Sequence, residues 1–475
     1  MLLIIIWKNI NKVLVFNILF FFSIIYMGDK MRMYLDDIIK VINGNLICGS
    51  NTELLNFSIN TKEIKKDDIF VGIKGETNDG SNFYLDALEK GAKGVIISKG
   101  ICKEKVEGKF IIEVDDTTKA LQQIAAYKRD NINIPVIGIT GSVGKTSTKD
   151  MISSVISTKY KVCKTKGNLN NHLGVPLTIL SLKDEEVLVV EMGMNHLGEI
   201  SVLSKIARPD ISVITNVGTA HIGNLGSREN ILKAKLEILD GMNNGKLIIN
   251  NDNDMLHNWY LNNRDNVLTV GINNESDYMA SNIKYGEHTS FNYNGNDITV
   301  KVGGEAFVYN ALMGIAVGKL LNIDLEDIKK GIYNLELTKM RLEIVKSQND
   351  FTIINDCYNA NYDSMKSSIT YLSKMNGNKK IAVLGDMLEL GSYSKELHMN
   401  VGKVLNENNI DIVILVGELS KYIAKTADNG NNMVIMCKDN KEAADKVLSL
   451  ANKDDIILIK ASNSMNFKEI FEMIK

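Results

Sequence analysis

Residues 138–148, Gly-Ile-Thr-Gly-Ser-Val-Gly-Lys-Thr-Ser-Thr, limit the possible folds of this chain more than any other segment. The apolar run at 136–139 precedes them as a buried strand would, and the run at 149–152 is compatible with a helix. Glycines at 141 and 144 let successive backbone N–H groups converge on an anion, and the start of the following helix adds its partial positive charge. The segment therefore predicts a strand, a loop and a helix that together hold phosphate.

The spacing of this loop differs from G-x-x-x-x-G-K-[ST], because Ile139 stands where that pattern has its first glycine. The pattern present is T-G-x-x-G-K-T-S. Lys145 can reach a β- or γ-phosphate, and the Thr146 hydroxyl is placed for Mg²⁺. A glycine-rich corner with an incidental lysine is the alternative, but strand, glycines, lysine and threonine together favour a nucleoside triphosphate. The predicted nucleotide-binding residues of the loop are Thr140, Gly141, Ser142, Val143, Gly144, Lys145, Thr146 and Ser147.

The composition of the chain argues against several classes of protein. Its 475 residues are typical of about three domains. The net charge of −2 provides no bulk field that would attract nucleic acid, so no nucleic-acid partner is expected. The five cysteines are scattered without a C-x-x-C pair, which suits a reducing compartment and argues against a zinc site. A cytoplasmic location is therefore expected.

Residues 1–32 form an apolar N-terminal extension. Its centre, Val13 to Met27, is an apolar run of 15 residues that two lysines precede. No small-x-small cleavage site follows, and the run is short for a membrane span. Three interpretations stay open: a signal anchor, a peripheral membrane tether, or translated sequence upstream of a true start near Met31 or Met33. The third is favoured, and membrane contact is expected only if residues 13–27 are genuine.

The rest of the chain divides into three sections in which short apolar strands alternate with helices. Residues 33–115 predict a small α/β domain. In residues 116–336, fully apolar strand candidates are separated by helix-length segments, which indicates a parallel sheet covered on both faces. Residues 337–475 repeat that pattern and predict a Rossmann-like domain. The predicted fold class is α/β with three domains, and the central one carries the phosphate loop.

Polar side chains follow several predicted strands of the central section, at the edge where ligands collect in parallel sheets. Glu191 ends one strand and could hold Mg²⁺ beside Thr146, although a strand-end glutamate is more often a cap or a solvent-facing residue. His221 could bind a ligand or be an ordinary core histidine. The run at 166–172 holds many amides and could bind a polar substrate, whereas the run at 233–237 would usually be a solvated helix face.

Seven segments make the chain similar to one known family. They are T-G-S-V-G-K-T-S at 140–147, T-K-G-N-L-N-N-H-L-G-V-P at 165–176, E-M-G-M-N-H-L-G-E-I at 191–200, I-T-N-V-G-T-A-H-I at 214–222, A-K-L-E-I at 234–238, D-C-Y-N-A-N at 356–361 and A-V-L-G-D-M-L-E-L-G at 382–391. On these segments, which span almost the whole chain after residue 33, the protein resembles a Mur ligase. Y-N-A-N and L-G-D-M-x-E-L-G are peculiar to the branch of that family that adds a dipeptide.

The resemblance implies an N-terminal domain for a UDP-sugar substrate, a central ATPase domain and a C-terminal domain that closes over an amino substrate. The implied activity is ATP-dependent joining of D-alanyl-D-alanine to UDP-N-acetylmuramoyl-tripeptide, a step of peptidoglycan precursor synthesis. Activation by ATP must come first, because a carboxylate is too poor an electrophile for amide formation in water. Lys145 and Mg²⁺ would offset the charge on the transferring phosphoryl group.

The resemblance also implies metal-binding and catalytic residues. Thr146 and Glu191 would hold one Mg²⁺, and His221 would hold a second together with a carbamylated Lys235. Carbamylation converts an ammonium group into an anion, which explains how a lysine could face a metal. The implied catalytic residues are Lys145, Glu191, His221 and Lys235.

Further residues are implied to bind ATP and the substrates. Asn250 matches a residue that contacts the nucleotide, and Lys74 matches one near the UDP-substrate. A segment at the interdomain cleft would meet ATP and the dipeptide through Arg341, Asp356, Tyr358, Asn359 and Asn361. The amide-rich run would contribute the remaining substrate contacts, from Asn168, Asn170, Asn171 and His172.

The chain departs from the family pattern outside the phosphate loop. The departures are Lys62 for Arg, Ser81 for His, Ala306 for His, Asn355 for Asp, Tyr362 for Pro and Asn463 for Arg. Asparagine cannot replace a bidentate arginine without losing a charge and its reach. Two alternatives therefore stay open: a ligase of the same chemistry with another acceptor or amine, and a nucleotide-binding protein without catalysis. A monomer is expected.

Overall fold

The computed structural model describes residues 32–428, 430 and 432–475. Apart from Arg32, the predicted apolar extension lies outside the described residues. Within the described ranges, no helix is both long and apolar enough to cross a membrane. The predicted α/β class is confirmed, because helices alternate with mainly parallel strands.

The N-terminal unit is a small sheet covered by helices on two faces. Its strands are β1 (Met33–Tyr34), β2 (Asn45–Cys48), β3 (Glu53–Leu54), β4 (Phe57–Ser58), β5 (Ile69–Val71), β6 (Gly94–Ser98) and β7 (Phe110–Val114), and its helices are α1 (Leu35–Ile42) and α2 (Tyr84–Glu89). Five strands form one sheet in the order β2-β7-β6-β5-β4, in which β2 alone is antiparallel to its neighbour. Alternate side chains of β5 point to opposite faces, so Val71 belongs to the apolar cluster that includes Ile38 of α1, whereas Phe70 belongs to the one that includes Tyr84 of α2.

The central unit is built on a seven-stranded parallel sheet. Its strands are β8 (Val136–Thr140), β9 (Val162–Lys164), β10 (Val187–Glu191), β11 (Ile211–Ile214), β12 (Lys246–Asn250), β13 (Val267–Gly271) and β14 (Tyr278–Met279). They lie in the order β14-β13-β12-β11-β8-β10-β9, and each neighbouring pair is parallel. Helices cover both faces of such a sheet, which is why every residue of β8, β10 and β11 is buried.

The helices of the central unit place the phosphate loop on a rigid base. They are α3 (Thr117–Asp130), α4 (Lys145–Ile156), α5 (Gly174–Leu180), α6 (Glu199–Ala207), α7 (Ile222–Leu225), α8 (Arg228–Leu236), α9 (Asp254–Tyr260), α10 (Glu305–Leu320) and α11 (Leu325–Tyr333). A three-stranded antiparallel sheet adds β15 (Ser281–Lys284), β16 (Thr289–Tyr293) and β17 (Asn296–Val300). α10 is apolar on all sides because it is enclosed between α4 and this small sheet.

The C-terminal unit is a second, mainly parallel sheet. Its strands are β18 (Glu343–Lys346), β19 (Thr352–Asn355), β20 (Lys380–Gly385), β21 (Ile412–Val416), β22 (Met433–Cys437) and β23 (Ile456–Lys460), and its helices are α12 (Tyr362–Lys374), α13 (Ser394–Glu407), α14 (Lys421–Ala427), α15 (Asn440–Leu450) and α16 (Lys468–Ile474). The strand order is β18-β19-β23-β20-β21-β22; β18 is antiparallel to β19 and the other pairs are parallel. The domain boundaries predicted after residues 115 and 336 stay a proposal, which the separation of the three large sheets supports.

Polar contacts dock the C-terminal unit against the carboxyl ends of the central strands. Asp363 Oδ2 accepts hydrogen bonds from Thr219 N and Thr219 Oγ1 at 2.7 and 2.8 Å. The Glu389 carbonyl oxygen accepts one from Gly223 N at 3.2 Å. The cleft between the two units therefore lies directly over the phosphate loop.

Lys128 of α3 is a buried cation that packs against the end of α5. Its side chain is only 7 % exposed, and Nζ donates hydrogen bonds to the carbonyl oxygens of Leu180 and Leu182 at 2.9 and 2.6 Å. Such carbonyls at a helix C-terminus have no partner within the helix. Burial lowers the pKa of Lys128 to about 8, so its charge is costly to hold at neutral pH.

We expect Lys128→Met to change how stability depends on pH. Between pH 8 and 10.5 the folded protein releases a proton that the unfolded chain keeps, so wild-type stability rises with pH relative to the variant. The Tm of wild type minus that of Lys128→Met should be about 2–4 °C larger at about pH 9.5 than at about pH 7, as measured by thermal unfolding. A difference in Tm that stays constant with pH would contradict the lowered pKa.

Candidate functional site

The phosphate loop joins the end of β8 to the start of α4, and its conformation requires both glycines. Gly144 precedes the helix with a φ of 83°, a left-handed conformation that side chains resist. Gly141 passes so close to β11 that a Cβ there would overlap the Thr215 hydroxyl. Asn216 Oδ1 accepts a hydrogen bond from Val143 N at 2.9 Å and braces the loop. The loop N–H groups are thereby held at the N-terminus of α4, where an anion is favoured.

The side chain of Lys145 folds back into the phosphate loop. Its Nζ donates a hydrogen bond to the Gly141 carbonyl oxygen at 2.7 Å. Burial lowers the pKa of Lys145, the nearby Glu191 carboxylate raises it, and the Arg341 guanidinium lowers it further. A phosphate oxygen would be a stronger acceptor for this ammonium group than a peptide carbonyl.

Glu191 at the end of β10 faces Thr146 at the start of α4. The Thr146 hydroxyl donates a hydrogen bond to Glu191 Oε2 at 3.0 Å, and Asn170 Nδ2 donates one to Oε1 at 2.9 Å. The described residues contain no cluster of three or more His, Cys, Asp or Glu side chains that could hold a metal ion. One carboxylate beside one hydroxyl nevertheless fits Mg²⁺, which keeps water and phosphate ligands and needs few from the protein.

Lys149 is a second cation beside this carboxylate, and the sequence analysis did not single it out. Its side chain is 1 % exposed, and Nζ lies 3.7 Å from Glu191 Oε2. Its spacing from Lys145 could have indicated this position, because residues four apart on a helix lie on the same face. The structure shows that this face of α4 points at Glu191.

The Lys145 ammonium group lowers the pKa of both His221 and Lys235. His221 Nδ1 is 2.7 Å from Glu389 Oε2 of the C-terminal unit, an ion-pair contact without hydrogen-bond geometry. Burial lowers the pKa of His221; Lys145 lowers it further, whereas Glu389 opposes the shift. Lys235 is 1 % exposed, and burial, with Lys145, lowers its pKa well below 10.5. Among the described residues no carboxylate is paired with Lys235.

Arg341 reaches the phosphate loop from the C-terminal side. Its guanidinium lies 3.9 Å above the Tyr358 ring, and Nη2 is 3.5 Å from the Thr146 hydroxyl oxygen. Its buried Nε makes no hydrogen bond. A buried donor without a partner is costly, so this N–H group is available to an incoming oxygen.

Asp356 is held by Lys460, another residue that the sequence analysis did not include in the site. Lys460 Nζ lies 2.5 Å from Asp356 Oδ2 and donates a hydrogen bond to the Asn359 carbonyl oxygen at 3.0 Å. Ser368 Oγ donates to the same carboxylate oxygen at 2.7 Å. Burial lowers the pKa of Lys460 and Asp356 raises it. The ion pair fixes the segment that carries Tyr358 and Asn359.

Three cavities surround these groups. The first has a volume of about 370 Å³ and is lined by Ser142, Val143, Gly144, Lys145, Thr146, Ser147, His221, Arg341, Asp356, Asn359, Asn361 and Lys460, among others. The second, of about 410 Å³, is lined by residues including Val143, Gly144, Asn216, Asn250, Ala306 and Tyr371. The third, of about 740 Å³, is lined by residues including Lys145, Asn168, Asn170, Asn171, His172, Glu191, His221, Arg341, Tyr358 and Asn359.

The structure thus brings most of the predicted site residues together. Thr140, Gly141 and Lys235 line none of the three cavities; Thr140 and Lys235 are buried behind them. Lys74 is exposed on the N-terminal unit, away from the phosphate loop. Asn361 caps α12 by accepting a hydrogen bond from Ser364 N at 2.9 Å, so its amide also has a structural role.

Three of the six departures from the family pattern fall in two kinds of place. Ala306 and Asn463 line the first cavity, and Asn463 Nδ2 donates a hydrogen bond to the Tyr358 carbonyl oxygen at 3.0 Å. Asn355 is buried at the end of β19 and donates a hydrogen bond to Glu343 Oε2 at 3.0 Å. Ala306 and Asn463 therefore change the lining of the site, whereas Asn355 is part of the sheet.

The chain matches two family models, and its sequence is similar to that of a ligase from Bacillus subtilis. Residues 139–318 match the Mur ligase middle domain, and residues 340–463 match the Mur ligase, glutamate ligase domain. The UDP-N-acetylmuramoyl-tripeptide–D-alanyl-D-alanine ligase of Bacillus subtilis (strain 168) is 40% identical over 427 residues, which cover 88% of this chain and 93% of that protein.

Solved structures with the same architecture cover most of both chains. Crystal structure I of MurF from Acinetobacter baumannii has a TM-score of 0.84 at 28% identity and covers 94% of this chain and 99% of that one. The MurF ligase of Thermotoga maritima, in a crystal structure with ADP, has a TM-score of 0.77 at 31% identity and covers 88% and 96%.

Proposed function

The chain belongs to the Mur ligase family, and on this premise we propose that it joins D-alanyl-D-alanine to UDP-N-acetylmuramoyl-tripeptide, driven by ATP. The observation that carries the proposal is the convergence of Lys145, Glu191 and Arg341, from three separate elements, around adjoining cavities. Cations that approach a phosphate loop from two sides suit phosphoryl transfer, after which an amine can attack the acyl phosphate.

The reaction has two steps. In the first, a carboxylate oxygen of the tripeptide attacks the γ-phosphorus of ATP, the bond between the γ-phosphorus and the bridging oxygen breaks, and ADP leaves. In the second, the amine nitrogen of the dipeptide attacks the acyl carbon, the carbon–oxygen bond to phosphate breaks, and the nitrogen loses a proton. The protein must bring three substrates into line and keep water away from the acyl phosphate.

The phosphate-loop residues hold the triphosphate in this proposal. The N–H groups at the start of α4 and the Lys145 side chain bind its oxygens, and Arg341 approaches from the other side of the cleft. Thr146 and Glu191 would hold Mg²⁺, which supplies charge neutralisation at the transferring phosphoryl group when it is bound. The 3.0 Å hydrogen bond between these two side chains supports the assignment, because their oxygen atoms are close enough to contact one ion.

Lys235 is proposed to be carbamylated. Its amine is buried, burial and Lys145 lower its pKa, and no carboxylate among the described residues pairs with it. A neutral amine is the form that adds carbon dioxide, and the resulting anion would relieve the repulsion between the two lysines. Together with His221, it would provide a second metal site.

The substrates are assigned to the cavities by chemistry. The third cavity carries the amide-rich run and opens towards Glu191, so it suits the UDP-linked tripeptide. Lys74 is proposed to contact the UDP-substrate on the N-terminal unit. The first cavity suits the triphosphate on the side of the phosphate loop and the dipeptide on the side of Asp356. A cytoplasmic location and a monomer remain part of the proposal.

The direct test incubates the full chain with ATP, Mg²⁺, D-alanyl-D-alanine and UDP-N-acetylmuramoyl-tripeptide, and follows the product by mass spectrometry. We expect the mass of the pentapeptide product and phosphate release that requires both substrates. Reactions that lack one component, and the Lys145→Ala variant, are the controls. Phosphate release without an amide product would contradict the proposal.

A second candidate function is a ligase of the same chemistry with a different amine. It is favoured by Asn463, because this side chain lines the first cavity and carries no charge for a substrate carboxylate. A panel of dipeptides and amino acids, compared by kcat/KM, separates the two candidates. Preference for an amine without a free carboxylate would support the second one.

A further inference from the structure

Arg341 stands between two residues with strained backbone. Met340 and Leu342 have φ values of 62° and 49°, in the left-handed region that side chains other than glycine and asparagine rarely adopt. The three residues end the segment that connects α11 to β18, and thus the central unit to the C-terminal unit. Strain of this kind persists only where the surrounding contacts impose it, and it is concentrated at functional sites.

Contacts on both sides hold this segment in place. Towards the central unit, Asp150 Oδ2 accepts hydrogen bonds from Thr338 N at 3.0 Å and from Thr338 Oγ1 at 2.7 Å. Towards the C-terminal unit, Asp356 Oδ1 accepts one from Leu342 N at 3.3 Å. The strained residues therefore lie between two carboxylates that belong to different units.

Asp150 is itself fixed on the helix that follows the phosphate loop. It is 2 % exposed, and its Oδ1 lies 2.9 Å from Lys164 Nζ and 3.8 Å from Lys149 Nζ. α4 begins at Lys145, so Asp150 lies little more than one helical turn from the phosphate-binding residues. A displacement of Thr338 relative to Asp150 is a displacement relative to the nucleotide site.

We propose that Asp150 and Thr338 are positioning residues for Arg341. They clamp the connecting segment to α4, and the strained Met340 and Leu342 then hold the guanidinium over Tyr358 and beside Thr146. This inference rests on the proposed function, because it takes Arg341 to be a ligand of the ATP phosphates. Its consequence is that nucleotide affinity depends on a hydrogen-bonded pair that touches no substrate.

The test compares two variants of one residue, Thr338→Val and Thr338→Ser, in the full chain. Valine keeps the shape and the backbone N–H but removes the hydroxyl donor, whereas serine keeps the donor. We expect Thr338→Val to weaken binding of a non-hydrolysable ATP analogue with Mg²⁺ about fivefold, and Thr338→Ser to stay within about twofold of wild type. Calorimetric titration measures both, and affinity for the UDP-linked tripeptide should not change.

A second comparison tests the strain directly. Met340→Ala and Met340→Gly remove the same packing, but only glycine relieves the left-handed backbone while letting Arg341 move. We expect Met340→Gly to melt at a higher temperature than Met340→Ala and yet to bind the ATP analogue more weakly. Asn322→Gly, at an exposed left-handed position with a φ of 55°, is the matched control and should leave ATP affinity unchanged.

These measurements separate the clamp from the proposed function. Wild-type affinity of Thr338→Val for the ATP analogue, or equal weakening in Thr338→Ser, would overturn the clamp. Equal or tighter binding by Met340→Gly than by Met340→Ala would overturn the role of strain. A wild-type protein that binds the analogue but forms no amide would overturn the proposed function and leave the clamp measurable, whereas a wild-type protein that binds no nucleotide would overturn both.

Discussion

Replacing Lys145 with alanine is expected to lower kcat of ATP-dependent amide formation about a thousandfold. The reason is that Lys145 supplies the one positive charge anchored inside the phosphate loop, where Nζ now donates a hydrogen bond to the Gly141 carbonyl oxygen. Without it, the charge that develops on the transferring phosphoryl group loses its nearest stabilising partner. Initial rates of phosphate release with saturating substrates measure the effect.

A matched control distinguishes this loss from a general effect of removing a lysine. Lys161 is exposed and pairs with Asp184 on the surface, so Lys161→Ala should keep wild-type rates. Thermal unfolding of Lys145→Ala should be close to that of wild type or higher, since burial makes the ammonium group costly to hold. A rate within about tenfold of wild type would remove Lys145 from the phosphate-binding role.

Glu191→Gln is expected to reduce activity about a hundredfold or more at ordinary Mg²⁺ concentrations. Glutamine has nearly the same shape but lacks the negative charge that the carboxylate offers to Mg²⁺. The remaining activity should rise with Mg²⁺ concentration well beyond the point at which the wild-type rate is saturated. The rate as a function of Mg²⁺ concentration, at fixed ATP, is the measurement that checks this.

The same substitution has a second effect that the structure makes specific. Lys149 Nζ lies 3.7 Å from Glu191 Oε2, and without that carboxylate its buried charge keeps, among the described residues, the 3.8 Å contact to Asp150. Glu191→Gln should therefore also lower the Tm, because one partner of a buried charge is removed. Glu396→Gln on the exposed face of α13 is the control and should change neither quantity. Unchanged magnesium dependence in Glu191→Gln would place the metal elsewhere.

The groups that the sequence could predict are those whose positions follow from local order. A buried strand that ends in glycines and a lysine places Lys145, and a neighbouring parallel strand that ends in a carboxylate places Glu191 beside it. Both positions follow from the rule that ligand-binding residues lie at the carboxyl ends of neighbouring strands in one parallel sheet. The fold class follows from the same pattern, because apolar strands separated by helices leave few alternatives.

The groups that the sequence could not place depend on contacts between distant segments. Asp150 meets Thr338 across 188 positions, and Lys460 meets Asp356 across 104. A charged residue in a helix is usually solvated, and nothing in the spacing of these residues marks them as buried. His221 was ambiguous for the same reason, since its neighbour Glu389 belongs to another unit.

The cleft over the phosphate loop divides the reactive groups between two bodies. Lys145 and Glu191 belong to the central unit, whereas Arg341 and Asp356 come with the C-terminal unit, which polar and apolar contacts dock against it. An enzyme assembled in this way is incomplete whenever the bodies separate, so bound ATP would be spared from futile hydrolysis until every reactant is in place. Closure of the same cleft would shelter a short-lived mixed anhydride, because water is excluded while the two units stay together.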